Sequence, residues 1–212
     1  MACAICETRR PKRYCPGVRG DICTLCCGKE REESVDCPLD CEYLREAHLH
    51  ERSRESRNAQ AMHSDIRVNE AFLKQNEALL VLFSQATLQG VLQSSGAVDT
   101  DVGEALEGLI RTYRTLQSGL VYETRPENPI AAGIFRTIQT FVEEIRHAEA
   151  RSGTTRRLRD ADILGILVFL RRMEAINNNG RRRSRAFIGF LSQVTSQAEA
   201  PVERPTSSLI LP

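Results

Sequence analysis

All eight cysteines of this 212-residue chain, Cys3, Cys6, Cys15, Cys23, Cys26, Cys27, Cys37 and Cys41, fall within its first 41 residues. Thiols so concentrated at one end need a shared purpose, and metal ligation, disulfide stapling and redox chemistry are the candidates. The opening Met1-Ala2-Cys3-Ala4-Ile5-Cys6-Glu7-Thr8-Arg9-Arg10 has no apolar stretch of the kind an export signal needs. No stretch reaches the ~20 apolar residues of a membrane span either. The expectation is a cytoplasmic protein without a membrane partner, and in a reducing compartment clustered Cys-x-x-Cys pairs favour zinc over disulfides.

The spacing runs Cys3-x2-Cys6, Cys15, Cys23-x2-Cys26-Cys27, Cys37-x3-Cys41. Tetrahedral zinc takes four thiolates, so eight saturate two Zn2+ ions per chain. The preferred pairing is interleaved: Cys3, Cys6, Cys23 and Cys26 on one ion, Cys15, Cys27, Cys37 and Cys41 on the other. Vicinal Cys26 and Cys27 then serve one site each. Alternatives remain: one zinc on the first four thiols, His48 or His50 replacing a cysteine, or an iron-sulfur cluster. Gly17, Gly20 and Gly28 stand where turns must bend back toward the metal. Cys37 and Cys41 are expected near a helix N-terminus, where the dipole favours thiolate.

The string Cys3-x2-Cys6, Tyr14-Cys15-Pro16, Ile22-Cys23-x2-Cys26-Cys27-Gly28, Arg31, Cys37-Pro38-x2-Cys41-x-Tyr43-Leu44 resembles the N-terminal cysteine module of a family of uncharacterised bacterial proteins. It is distantly similar to the cross-braced zinc fingers of the HIT and MYND types. The resemblance covers residues 1–45 and implies two zincs and a protein-contacting role, with no enzyme activity. Lone Cys15, vicinal Cys26-Cys27 and the lack of a ligand histidine depart from those fingers.

Residues 1–45 carry eight Lys or Arg and eight Asp or Glu, and tetrathiolate sites would make the module acidic. That disfavours a duplex-binding finger, whose affinity comes largely from phosphate neutralisation. Two basic clusters run the other way. Arg9, Arg10, Lys12 and Arg13 form one; Arg181, Arg182, Arg183 and Arg185 form the other, with Arg156, Arg157, Arg159, Arg171 and Arg172 upstream. Both clusters are candidate contacts for nucleic acid or an acidic partner, against the plainer reading of solvated faces and salt bridges.

The rest of the chain reads as all-α. Residues 46–58 are a charged helical linker, residues 59–197 a bundle of about five helices, and residues 198–212 a disordered tail. Met62, Ile66, Asn69, Leu73, Asn76, Leu80 and Phe83 follow heptad-like spacing. They predict a first long helix with asparagines in its seam and, as a minor reading, a homodimer through it. Asp99 or Thr100 caps the second helix, 129–151 is the third, and Asp160 or Asp162 opens the fourth over 163–176. Residues 184–195 are the fifth. No metalloprotease helix motif, phosphate loop or nucleophile elbow occurs, and His48, His50, His63 and His147 compose no site. A non-enzymatic protein-interaction or scaffold role is the leading expectation, followed by a nucleic-acid-associated regulator and then a redox-sensing zinc protein.

Overall fold

The computed structural model describes residues 2–51, 58–152 and 158–199. Arg156, Arg157 and residues 200–212 of the expected tail lie outside them. The chain is mostly helical, with one small two-stranded sheet near its start. Among the described residues no helix is long and apolar enough to cross a membrane.

The N-terminal module contains β1 (Arg13–Cys15), β2 (Gly20–Ile22), α1 (Thr24–Glu30) and α2 (Glu42–His50). The two strands pair antiparallel, with Arg13 opposite Ile22 and Cys15 opposite Gly20. They are too short to bury a core of their own. The module's buried cluster is instead Cys3, Ile22, Cys23 and Cys26, flanked by Ile5, Cys6, Cys15 and Cys27. Sulfur therefore takes the place that branched aliphatics fill in a larger domain. The left-handed backbone positions are Glu7 (φ 54°), Arg19 (φ 56°) and Glu32 (φ 52°), rather than the glycines expected at the turns. Gly17 serves close approach instead, because a Cβ there would lie 2.6 Å from the Asp36 carbonyl oxygen.

Among the described residues six α-helices follow a short 3-10 turn at Ala59–Ala61: α3 (Glu70–Gln75), α4 (Glu77–Gln93), α5 (Asp99–Gln117), α6 (Pro129–Ser152), α7 (Asp160–Asn177) and α8 (Ala186–Glu199). α5 packs on α6 and α7, while α4 packs on α6 and α8. Their shared core holds Phe83, Leu106, Leu109, Ile110, Ile134, Phe135, Ile163, Ile166, Leu167 and Phe187. α7 is buried almost all round at 163–168, as expected from apolar residues on every face.

The long helix expected from Met62 does not form. Residues 62–66 are non-helical, and Arg172 on α7 donates to the carbonyls of Met62 (3.0 Å), His63 (3.0 Å) and Ile66 (3.3 Å). Asn69 caps α3, its side chain accepting from the Phe72 N–H at 2.9 Å. Asn76 ends α3 and donates to the Phe72 carbonyl at 3.0 Å. Both asparagines satisfy helix ends rather than a seam, because a short amide competes well for free backbone groups. The heptad face expected for a homodimer is thus not one continuous helix.

The second helix is capped differently too. Its N-cap is Val98, whose N–H donates to Asp101 at 2.9 Å. Asp99 turns inward and is fully buried, accepting from Ser184 Oγ (2.6 Å) and from the N–H groups of Phe187 (3.0 Å) and Ile188 (3.1 Å). It caps α8 from across the bundle.

Candidate metal centre

The cysteine positions follow from local backbone geometry. Cys23 comes directly after β2 and is the N-cap of α1, its Sγ accepting from the Cys26 N–H at 3.4 Å. The Cys23 N–H in turn donates to Cys3 Sγ at 3.2 Å. The Cys3–Cys6 segment folds back through a Glu7 N–H to Cys3 carbonyl bond of 2.8 Å, with Glu7 left-handed. The two Cys-x-x-Cys turns thereby face each other.

The four sulfurs of Cys3, Cys6, Cys23 and Cys26 all lie within 4.8 Å of one another, and none is in a disulfide. A zinc with ~2.3 Å bonds to sulfur implies sulfurs about 3.8 Å apart in a tetrahedron. A cluster whose sulfurs all lie within 4.8 Å admits that spacing, and its donor set is entirely sulfur. Electrostatics agree. Bonds from the Thr8 hydroxyl and from the Thr8 and Arg9 N–H groups hold Cys6 down at about 5. Burial, and then contacts with the neighbouring thiols Cys23, Cys6 and Cys3, push Cys26 up to about 12. Four thiolates cannot share this volume unless a cation offsets their repulsion, which a divalent metal does.

The other four cysteines reach a second place. Cys15 ends β1, Cys27 follows Cys26 on α1, Cys37 lies in the loop after α1 and Cys41 is the N-cap of α2. All four line one cavity of about 20 Å³, together with Arg13, Pro16, Ile22, Arg31, Pro38 and Tyr43, but among the described residues the first quartet alone brings its sulfurs within 4.8 Å of one another. Burial pushes Cys37 up to about 11, the charges of Glu32, Cys15 and Cys41 add to this, and a bond from the Glu32 backbone N–H opposes it. His48 bonds to Glu32 at 2.9 Å, and His50 is exposed on α2.

Two residues of the first basic cluster sit against sulfur. Arg9 hydrogen-bonds Cys23, which raises its own pKa, with Cys6 and Cys26 adding their charge. Arg13 Nη1 lies 3.9 Å from Cys27 Sγ, and its guanidinium stacks 3.8 Å above the Tyr43 ring centroid. Arg10 and Lys12 are exposed.

In the second cluster, Arg181 donates to both Glu51 oxygens (3.0 and 3.0 Å) and to the carbonyls of Gly28 (3.1 Å) and Arg31 (2.7 Å). Arg185 donates through Nε to the Ala97 carbonyl at 3.2 Å and pairs with Asp36 at 3.3 Å. Arg182 and Arg183 are exposed.

The residue that sequence reasoning passed over is Glu32. It is fully buried and accepts from the Arg185 N–H (2.7 Å), Asn179 Nδ2 (2.7 Å) and His48. Burial alone would raise its pKa, but these partners, His48 foremost, hold it below the ordinary value. Its partners Asn179 and Arg185 lie far along the chain, so only an acid among metal ligands was visible locally.

Compared with family models, curated proteins and solved structures, the chain matches none of them.

Proposed function

We propose that this protein is a non-enzymatic, two-zinc binding protein in which the N-terminal module presents a metal-stiffened surface to a protein partner. The observation that carries the reading is the all-sulfur quartet of Cys3, Cys6, Cys23 and Cys26. Four thiolates complete a tetrahedron and leave no position for substrate, the arrangement of a structural rather than a catalytic zinc. The cavity shared by Cys15, Cys27, Cys37 and Cys41 supports the second ion. The interleaved order of the two quartets resembles that of a cross-braced finger, with lone Cys15 in place of a pair. A binding surface is supported by Tyr14 and Leu25, 61% and 63% exposed on the same small module, since large apolar groups on a metal-held scaffold suit a docking role.

Elemental analysis with thiol titration tests this. Two zincs per chain and no reactive thiol before chelation are expected. Iron, or titratable thiols in the native protein, would overturn the reading and favour redox sensing.

A nucleic-acid-associated role is the second reading, supported by exposed Arg10 and Lys12 beside exposed Tyr14, cations next to a stacking ring. It predicts retarded mobility of single-stranded probes that weakens steeply with salt, and unshifted probes at low salt would dismiss it.

A further inference from the structure

Among the described residues, the polar contacts between bundle and module gather on one short segment, the 178–185 loop between α7 and α8, beside the apolar contact of Leu39 with the bundle core. Arg181 on this loop occupies the carbonyls of Gly28 and Arg31 at the C-terminal end of α1, the helix that carries Cys26 and Cys27. The bond from the Arg31 N–H to the Cys27 carbonyl, 3.2 Å, lies in the same turn. Glu32 makes the second link, and each of its polar groups points to a different side. Its N–H serves Cys37 Sγ. Its carbonyl accepts from the Arg183 N–H at 2.7 Å. Its carboxylate holds the Arg185 N–H and the Asn179 side chain.

The loop is fixed on its other side as well, where the Asp99 N–H donates to the Ser184 carbonyl at 2.8 Å. Among the described residues, no hydrogen bond joins Cys3, Cys6, Cys23 or Cys26 to the bundle. The polar connection between the second thiol quartet and the loop runs through Glu32 and Arg181, with the Arg185–Asp36 ion pair beside it.

We propose that metal at Cys15, Cys27, Cys37 and Cys41 and docking of the module on the 178–185 loop form a single coupled equilibrium, transmitted by Glu32 and Arg181. It rests on the two-zinc reading above. Metal at Cys37 would fix the sulfur that the Glu32 N–H faces, and the same residue presents its carbonyl and carboxylate to the loop. Loss of this ion releases Glu32 and the α1 carbonyls together. The loop then loses its acceptors, and the run Arg181, Arg182, Arg183 and Arg185 is freed from the module. The Cys3, Cys6, Cys23 and Cys26 quartet makes no hydrogen bond to the loop among the described residues, so its ion is the less affected. Coupling of two binding events is reciprocal, so docking strengthens metal retention by the factor with which metal strengthens docking.

The test uses the full-length zinc-loaded chain. Arg181→Met touches no cysteine, and Asn179→Ala is a milder second variant should the first fold poorly. Zinc release to a competing chelator is followed with a colorimetric dye. In both variants one of the two zincs is expected to leave faster, by about tenfold in Arg181→Met, and the other at the wild-type rate. Conversely, chelating wild-type protein until one zinc is lost should raise amide exchange in residues 178–185 while α5 and α7 stay protected. Unchanged release of both zincs in both variants, or an unchanged 178–185 segment after chelation, overturns the coupling while leaving the two-zinc reading intact. A stoichiometry of one zinc before any substitution overturns the two-site reading and the coupling with it.

Discussion

Asp99 shows how much a single buried carboxylate can organise. It belongs to the first turn of α5 yet receives the free N–H groups of α8 and the Ser184 hydroxyl. Removing such a cap while leaving buried donors unmatched costs about 2 kcal/mol, so Asp99→Ala should lower unfolding free energy by about that much in denaturant melts. Burial pushes Asp99 up to about 7 from its ordinary 3.8, against the pull of its three hydrogen bonds. Between those values the folded chain keeps a proton that the unfolded chain releases. This group's contribution to stability is therefore greatest at low pH and declines as pH rises toward about 7. Asp99→Asn cannot titrate, so the stability gap between wild type and variant should narrow steadily across that window. A gap independent of pH would refute the assignment.

At the scale of elements, close approach decides where α3 lies. A Cβ on Gly165 would stand 2.4 Å from Cζ of Phe72, so α7 receives the Phe72 ring against bare backbone. Gly165→Ala improves helix propensity by about 1 kcal/mol, but the overpacking costs about 1–3 kcal/mol. A net loss of stability is expected in the wild-type background. In a Phe72→Leu background the same substitution should be neutral or stabilising, and a double-mutant cycle measures the difference. Additive effects would mean that the ring does not set the position of α3. The asparagines at 69 and 76 belong to the same scale. Their spacing imitates a heptad seam, yet each spends its amide on a helix end, and Arg172 holds the preceding residues in a non-helical course.

For the whole molecule, the module and the bundle bury separate apolar clusters, one centred on cysteine and one on aliphatic and aromatic side chains. The polar clamps of Arg181 and Glu32 join them, along with Leu39, which packs on the bundle core. Full chelation should therefore dissolve the module's near-ultraviolet tyrosine signal while leaving most far-ultraviolet helicity in place. Collapse of both signals together would show that the bundle core depends on metal. The opposed charges of the chain act at this scale as well. Arg181 and Arg185 spend their guanidiniums on Glu51, Asp36 and backbone carbonyls, so the second basic cluster is in large part an internal fastening.

The sequence by itself determined what depends on near neighbours. Two Cys-x-x-Cys turns bring Cys3, Cys6, Cys23 and Cys26 together, adjacent Cys26 and Cys27 face different places, and α6 and α7 follow from apolar periodicity bounded by Pro129 and by the Asn177-Asn178-Asn179-Gly180 stop. Only the tertiary structure decided the roles of Glu32, Asp99 and Arg181. Apart from His48 beside Glu32, their partners lie 85 to 153 residues away, and a charged side chain gives no local sign of which distant backbone groups it will satisfy. Periodicity records which residues avoid water. Where a polar group finds its hydrogen bonds is settled when the elements pack.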